Sequence, residues 1–392
     1  MLIHARIYTS PTEKPIEDGT IVIHDGEIRA VGPSNTTKGP HLARLVTVVD
    51  CTGMTIIAGL WNSHVHILTE DFLHADQKSP AQLTKALQAM LTKWGFTTVF
   101  DTASILTNTN VVRRRIASGE VLGPNILTVG DPFYPENGVP VYIQGFLKDH
   151  HIQLPEDHSD TEAVARVRQQ IGDGADGINI FAGSIENDGV LLMPLSRAKA
   201  IVAESHRLGR PVFAHPSNEQ GVDLALDSGV DVLAHVALMG GPWSPSLVGR
   251  MKTAHIALIP TLTLFDVEAK KARVSPEEDQ QWIDLAVHQL KVYTEAGGQI
   301  LFGTDVGYTD HFDTAEEYTL MKQAGMTFPQ ILASLTTNPA ERFGASGHSG
   351  RIAKRLDADL TVLDGDPATN IAAFSKVHYT IRNGRIIYKE SH

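Results

Sequence analysis

Two histidines separated by one residue, His64 and His66, stand in the segment GLWNSHVH. On an extended chain, residues two apart project from the same side, so both imidazoles can reach one metal ion, whereas on a helix they would diverge. The pair alone is a weak signal, because 18 histidines in 392 residues give roughly 0.8 such pairs by chance. Its significance depends on the other side chains that the fold brings to the same place.

Three further polar residues recur at the carboxyl ends of predicted strands: His215 in PVFAHP, His235 in DVLAHV and Asp305 in ILFGTD. In a barrel of parallel strands these ends open into a common mouth. Imidazoles and a carboxylate are the ligand types that zinc and similar divalent ions prefer. Together with the first histidine pair, these residues predict a metal centre.

The segments that must position these residues alternate between strand and helix. From residue 56 onward, short apolar or β-branched runs alternate with longer segments of helical periodicity, which is typical of a parallel sheet wrapped by helices. Eight strands are predicted, at 56–60, 97–101, 126–129, 177–181, 211–215, 231–235, 256–260 and 299–303. We therefore predict an α/β fold of the (β/α)8 TIM-barrel type. An open doubly wound sheet is disfavoured because no glycine-rich phosphate loop follows a strand.

The two ends of the chain alternate in hydrophobicity and contain turn signals such as Asp25-Gly26 and Asn383-Gly384. Neither end alone has enough strands to bury a face. We expect residues 1–55 and 352–392 to meet as one small composite β-sandwich domain beside a barrel formed by residues 56–351.

A long segment rich in proline and glycine, 130–159, follows the third predicted strand. It exceeds the usual length of a barrel connection, and such insertions often form lids over a site. Its Tyr134 and Tyr142 are candidate substrate-binding residues. Packing against a second subunit of a homo-oligomer is an equally good interpretation.

The bulk composition excludes several classes of protein. A net charge of −12 and a pI near 5.8 disfavour binding to nucleic acid. No apolar run approaches the roughly 18 residues of a membrane span, no segment resembles a signal peptide, and the single cysteine, Cys51, allows no intrachain disulfide. These features predict a cytoplasmic protein with neither nucleic acid nor membrane as partner.

The motifs GLWNSHVH, PVFAH, DVLAH, LFGTD, TTNPAERFG, ADLTVLDGDP and IRNGRIIY, in this order, resemble the amidohydrolase superfamily, and the similarity runs nearly from end to end. Its branch of imidazolonepropionases and metal-dependent dipeptidases is the most similar. The resemblance implies a distorted barrel with a composite β-sandwich. It also implies metal ligands at His64, His66, His215, His235 and Asp305, with Asp305 as the usual general base.

One position departs from this pattern. In GADGINIFAG, two-metal members of the branch carry a lysine, which is carbamylated to bridge the metals, where this chain has Asn179. An amide cannot be carbamylated and brings no negative charge, so one ion per chain, expected to be zinc, is favoured over two. Either Asn179 donates its oxygen as a weak ligand, as in the urea and thiocarbamate hydrolase branch, or it only hydrogen-bonds the ligands.

The position of the ion has two alternatives. It lies either with the first histidine pair and Asp305 or closer to His215 and His235. In the first arrangement His235 is free to polarise the substrate carbonyl.

With this ligand set, the resemblance implies a small-molecule substrate, and the expected reaction is hydrolysis of a carbon–nitrogen bond in an amide, urea, carbamate, N-acyl amino acid or dipeptide. A divalent ion lowers the pKa of bound water from about 15.7 toward ~7 and polarises the carbonyl, and Asp305 would take the proton. Ring opening or deamination of a cyclic substrate is the enzymatic alternative. A non-catalytic scaffold is the alternative from another class, although a structural protein has no reason to keep five polar groups in one costly cluster.

Overall fold

The structure is a computed structural model that describes residues 1–37 and 47–390. Strands and helices alternate along most of the chain. The strands of the described residues are β1 (Leu2–Ile7), β2 (Ile16–His24), β3 (Glu27–Pro33), β4 (Val49–Asp50), β5 (Met54–Ala58), β6 (Leu60–Val65), β7 (Phe96–Asp101), β8 (Asn125–Thr128), β9 (Ile178–Phe181), β10 (Gly183–Glu186), β11 (Gly189–Leu192), β12 (Val212–His215), β13 (Val232–Ala234), β14 (Ala257–Ile259), β15 (Gln299–Ile300), β16 (Leu360–Asp364), β17 (Val377–Arg382) and β18 (Arg385–Lys389).

Most of the helices direct an apolar face to the protein core. Ser79, Ser244 and Ser275 each stand before a proline and accept a hydrogen bond from the first turn of the helix that follows. The helices are α1 (Pro80–Met90), α2 (Leu106–Ala117), α3 (Val141–Asp149), α4 (Asp160–Gly172), α5 (Leu195–Arg207), α6 (Glu219–Ser228), α7 (Pro245–Thr253), α8 (Leu262–Ala272), α9 (Pro276–Glu295), α10 (Ala315–Gln323), α11 (Phe328–Leu335) and α12 (Thr337–Arg342), with 3-10 turns at Thr92–Trp94, Leu238–Gly240 and Ile371–Ser375.

Strands from both ends of the chain pair in one sheet. Its order within the described residues is β18-β17-β16-β5-β1-β2-β3, with β4 paired to β1. The antiparallel pairing of β5 with β16 joins the two ends, and the sheet has its own apolar core, with Ile21, Ile56 and Leu360 among its fully buried side chains. The second layer of a sandwich stays a prediction. Residues 38–46 and 391–392 of the predicted terminal segments lie outside the described residues.

The first predicted strand, 56–60, was wrong as a member of the parallel series. The structure has β5 at Met54–Ala58, which pairs with β16 and β1, and the parallel series begins with β6 at Leu60–Val65. The two strands are separated only by Gly59, where a Cβ atom would lie 2.2 Å from Thr97 Oγ1. Because the apolar stretch at residues 56–61 runs through Gly59 without a polar residue, hydrophobic periodicity could not separate the two strands.

Two parallel sheets hold the candidate site residues. One has the order β6-β7-β8 and the other β15-β14-β13-β12-β9. Backbone hydrogen bonds join their edges on both sides: Ser63 N donates to Phe302 O at 2.7 Å, and Phe133 N donates to Asn179 O at 2.8 Å. The carboxyl ends of all these strands therefore open toward one region.

The segment 130–159, predicted as a loop, contains the helix α3. Pro140 precedes its first residue, and none of its residues is fully buried.

Among the helices of the described residues, none has both the length and the apolar character that a membrane span requires.

Candidate metal centre

His64 and His66 lie at the carboxyl end of β6 and reach the same carboxylate. The Nε2 atoms of His64 and His66 lie 3.0 and 2.7 Å from Asp305 Oδ1. His66 Nδ1 lies 2.9 Å from the backbone oxygen of Ala103. Because that oxygen can only accept, Nδ1 carries the proton, and in the neutral ring the lone pair is on Nε2, the atom that faces the cluster.

Asp305 reaches this position through a tight backbone arrangement. Its φ is 61°, in the left-handed region, and its N–H donates to His64 O at 3.0 Å. Gly303 and Gly307 flank it at places where a side chain would not fit. A Cβ atom would lie 2.8 Å from His64 Cβ at Gly303 and 1.9 Å from His66 O at Gly307. The FGTDVG sequence therefore lets the segment that follows β15 approach the first histidine pair closely.

His215 is the last residue of β12, and His235 directly follows β13. The His235 ring lies 4.5 Å from that of His64 and 4.8 Å from that of His215, between ring centres. His235 Nδ1 is 2.6 Å from Thr261 Oγ1, whose own hydroxyl donates to Pro260 O. The hydroxyl therefore accepts from Nδ1–H, which leaves the lone pair of His235 on Nε2.

Three candidate ligands converge most closely. The ligand atoms of His64, His235 and Asp305 all lie within 4.8 Å of one another. His64 Nδ1 is buried and has no hydrogen-bond partner among the described residues, while Nε2 faces Asp305. The side chain of Asn179 donates from Nδ2 to Thr102 O at 2.8 Å, while its buried Oδ1 has no hydrogen-bond partner in the described parts of the chain.

Such buried atoms without partners are rare in folded proteins. Here they stand beside a carboxylate and unprotonated imidazole nitrogens, and this donor set fits a divalent cation. His66 and His215 contact this group without belonging to the closest three. The structure thus brings together the five predicted strand-end residues and places Asn179 beside their loops.

The environment keeps most of the imidazoles neutral. Burial lowers the pKa of His215 to about 3, and burial likewise lowers the pKa of His235 and His64. Burial also opposes charge on His66, but the hydrogen bond and charge of Asp305 outweigh it and raise the His66 pKa. Burial disfavours the Asp305 carboxylate too, yet the two neighbouring histidines outweigh this and hold its pKa well below the usual range. The site therefore presents a carboxylate and the lone pairs of three neutral imidazoles, as metal ligation requires.

The candidate substrate residues Tyr134 and Tyr142 each pack against another aromatic ring. The Tyr134 ring is 4.5 Å from that of Phe181, and the Tyr142 ring is 5.3 Å from that of Tyr308. Phe181 in turn stacks on His215 with centres 4.6 Å apart. Burial raises the pKa of Tyr142 well above its ordinary value, and its tyrosine neighbours add to this, so its hydroxyl is neutral.

Sequence analysis missed several residues that touch these groups. Tyr308 could have been found from its position three residues after Asp305. Asp101 lies at the end of the second predicted strand and satisfied the same strand-end rule as the histidines. The roles of Thr261 and of the Ala103 carbonyl left no signal, because they depend on contacts between distant segments.

Comparison with known proteins places the chain in a family. The model of the Amidohydrolase family matches residues 55–387. The chain therefore belongs to the amidohydrolase family of enzymes, which act on carbon–nitrogen bonds and are normally metal-dependent. This confirms the family and the enzyme class predicted from the strand-end motifs.

Individual relatives are more distant. Ochratoxinase from Aspergillus niger is 23% identical over 416 residues, covering 96% of this chain and 83% of that protein. The crystal structure of a Xaa-Pro dipeptidase with bound methionine superimposes with a TM-score of 0.82 at 22% identity, covering 99% of each chain. Molinate hydrolase gives a TM-score of 0.78 at 19% identity, covering 98% of this chain and 93% of that one. At these identities the two structures show a shared fold.

Proposed function

We propose that this amidohydrolase uses a single divalent ion, with zinc the expected one, to hydrolyse a carbon–nitrogen bond in an amide, urea, carbamate, N-acyl amino acid or dipeptide. The observation that carries the proposal is the convergence of the ligand atoms of His64, His235 and Asp305 within 4.8 Å, beside the buried Asn179 Oδ1, which has no partner among the described residues. The names of the relatives, which include a dipeptidase and a molinate hydrolase, are consistent with this class of bond.

The proposal includes the architecture that holds the site. We propose that the two parallel sheets form one closed (β/α)8 barrel, supported by the hydrogen bonds that join them at both edges. The terminal segments then form the second domain. Since β5 pairs with the terminal sheet, we place the first boundary at Gly59 rather than at the predicted residue 56, and keep the second at 352.

The ion, when bound, would supply a Lewis acid for the carbonyl and lower the pKa of water. His64, His66, His215, His235 and Asp305 are the residues that would hold it, with Asn179 as a neutral oxygen donor. The Asn179 amide is oriented by its bond to Thr102 O, so that the oxygen is the free atom. A neutral amide in place of an anionic bridge favours one ion over two.

Asp305 is the proposed general base. Both His64 and His66 contact Oδ1 of its carboxylate, so the group is oriented before substrate binds. It would accept a proton from the attacking water and transfer it to the leaving nitrogen. His235, with its Nε2 lone pair directed at the cluster, is the proposed second catalytic residue.

Tyr134 and Tyr142 are the proposed substrate-binding residues. Their neutral hydroxyls can donate a hydrogen bond, and their rings offer apolar area at low entropic cost. Phe181 and Tyr308 extend these surfaces through the ring contacts at 4.5 and 5.3 Å. An aromatic or extended apolar group next to the scissile bond would suit this arrangement.

The test combines metal analysis with product analysis. The purified protein is stripped with a chelator, reloaded with zinc, and incubated with N-acyl amino acids, dipeptides, phenylureas and carbamates. We expect close to one zinc per chain and release of an amine from an acyclic substrate. Ammonia from a heterocycle, or an opened lactam, would instead establish the cyclic-substrate alternative. A chain that binds no zinc would support the scaffold alternative.

A further inference from the structure

Asp101, at the end of β7, is a fully buried carboxylate outside the proposed ligand set. It accepts hydrogen bonds from Ile67 N at 3.1 Å, Thr128 Oγ1 at 2.7 Å and Thr109 Oγ1 at 3.4 Å, and a further one from Ser104 Oγ. All of these donors are neutral. No lysine or arginine forms an ion pair with it in residues 1–37 and 47–390.

These hydrogen bonds hold His66 from two sides. Ile67 directly follows His66, so the bond to its N–H fixes the backbone that carries the imidazole. Ser104 directly follows Ala103, whose carbonyl oxygen receives His66 Nδ1 at 2.9 Å. Asp101 therefore ties together the backbone of His66 and the acceptor that orients its ring.

The same turn orients Asn179. Thr102 O, one residue after Asp101, accepts from Asn179 Nδ2 at 2.8 Å and so directs the amide oxygen away from the turn. Two candidate ligands from different strands are thus aligned by consecutive carbonyls of residues 102 and 103. Asp101 anchors the turn that carries both.

The four donors also compensate the charge of Asp101 in its buried position. A buried anion is strongly disfavoured unless a cation or several donors stabilise it. Asp101 and Asp305 are both buried, and neither has a lysine or arginine ion pair in the described part of the chain. The carboxylate of Asp101 therefore depends on these neutral donors, and the turn that supplies Ser104 is held in place with it.

We propose that Asp101 is a positioning residue of the metal centre, which fixes the 102–104 turn behind His66 and Asn179. The inference rests on the proposed function, since it presupposes that the chain binds a divalent metal. Outer contacts of this kind typically change metal affinity by about 10–100-fold when they are removed.

The test compares Asp101→Asn with Asp176→Asn. Asp176 is a matched control because it also bonds to β8, accepting from Thr128 N at 3.1 Å, but pairs with Arg113 and does not contact the 102–104 turn. Zinc affinity is measured by competition with a chromophoric chelator, and ligand geometry by the visible spectrum of the cobalt-substituted protein. We expect Asp101→Asn to weaken zinc binding by about 10–100-fold and to change the cobalt spectrum, while Asp176→Asn changes neither.

Wild-type affinity and spectrum in Asp101→Asn would overturn the inference, and so would an equal loss in the control. If Asp101→Asn does not fold, Thr128→Val and Ser104→Ala each remove one donor to the carboxylate. Weaker zinc binding in these two variants would support the inference, and unchanged binding would overturn it. A wild-type chain that binds no zinc would instead refute the proposed function, which keeps the two failures distinct.

Discussion

Whether Asn179 is a metal ligand or only a packing residue can be tested by measuring the stability of a variant with and without metal. In the structure its Nδ2 is bonded to Thr102 O, and its buried Oδ1 has no partner within the described residues. An unpaired buried polar atom costs about 1–3 kcal/mol. The replacement Asn179→Leu removes that atom, but it also removes the hydrogen bond and leaves Thr102 O without its donor.

For the metal-free protein these two effects have similar size and opposite sign. We therefore expect Asn179→Leu to change the free energy of unfolding by less than about 1 kcal/mol. In the zinc-bound protein the wild-type oxygen would be satisfied, and the variant would lose a ligand. A tenfold loss of affinity corresponds to about 1.4 kcal/mol, and with zinc in excess over both dissociation constants this appears in full as lost stability.

The assay is urea unfolding followed by circular dichroism, on chelator-treated protein and on protein in a fixed excess of zinc. Asn108→Leu is the control, because both ends of that amide are bonded, to Ala75 N at 3.0 Å and Phe72 O at 2.9 Å, away from the cluster. It should lose the same free energy in both forms. An equal loss for Asn179→Leu with and without zinc would refute a ligand role for the amide.

Four further predictions follow from the site and its surroundings. Asp305→Asn should abolish turnover while substantial zinc stays bound, as measured by product formation and metal content; unchanged turnover would remove Asp305 from the mechanism. Asn179→Lys should raise metal content toward two per chain if the remaining geometry supports a second ion, and a content fixed at one would show that it does not. Tyr142→Ala should raise KM more than it lowers kcat, and a loss confined to kcat would contradict its binding role. Burial raises the pKa of Glu317 to about 7 from 4.5, so the folded state binds its proton more tightly and stability should fall by about 3 kcal/mol between about pH 4.5 and 7. Glu317→Gln should abolish that slope in urea unfolding, and a slope that persists in the variant would assign it to other groups.

The candidate site was predictable because its chemistry follows the topology. His215, His235 and Asp305 each end a short apolar run, and parallel strands bring such ends together whatever the intervening helices are. The positions of seven of the eight predicted strands needed only small adjustment for the same reason. The exception, at 56–60, was wrong because Gly59 divides one apolar stretch between two sheets, and no change in polarity marks that division.

The contacts behind the ligands were not predictable. The tautomers of His66 and His235 depend on Ala103 O and Thr261 Oγ1, which lie 37 and 26 residues away along the chain. Neither acceptor belongs to a motif. A backbone carbonyl has no sequence signature at all, so its role appears only once the strands are paired.

These contacts bear on the asparagine at position 179, where the resemblance noted in the sequence gives two-metal proteins a bridging lysine. Asn179 has a specific partner, since its Nδ2 is bonded to the carbonyl of Thr102, in the turn that Asp101 anchors. A longer side chain at this place would have to give up that bond to reach the cluster. The asparagine is therefore integrated into the frame that orients His66, which favours a centre organised around one ion over a two-ion centre that has decayed. On this interpretation, weakening the turn through Asp101 and removing the amide oxygen at Asn179 should lower zinc affinity non-additively, because both changes act on one connected set of contacts.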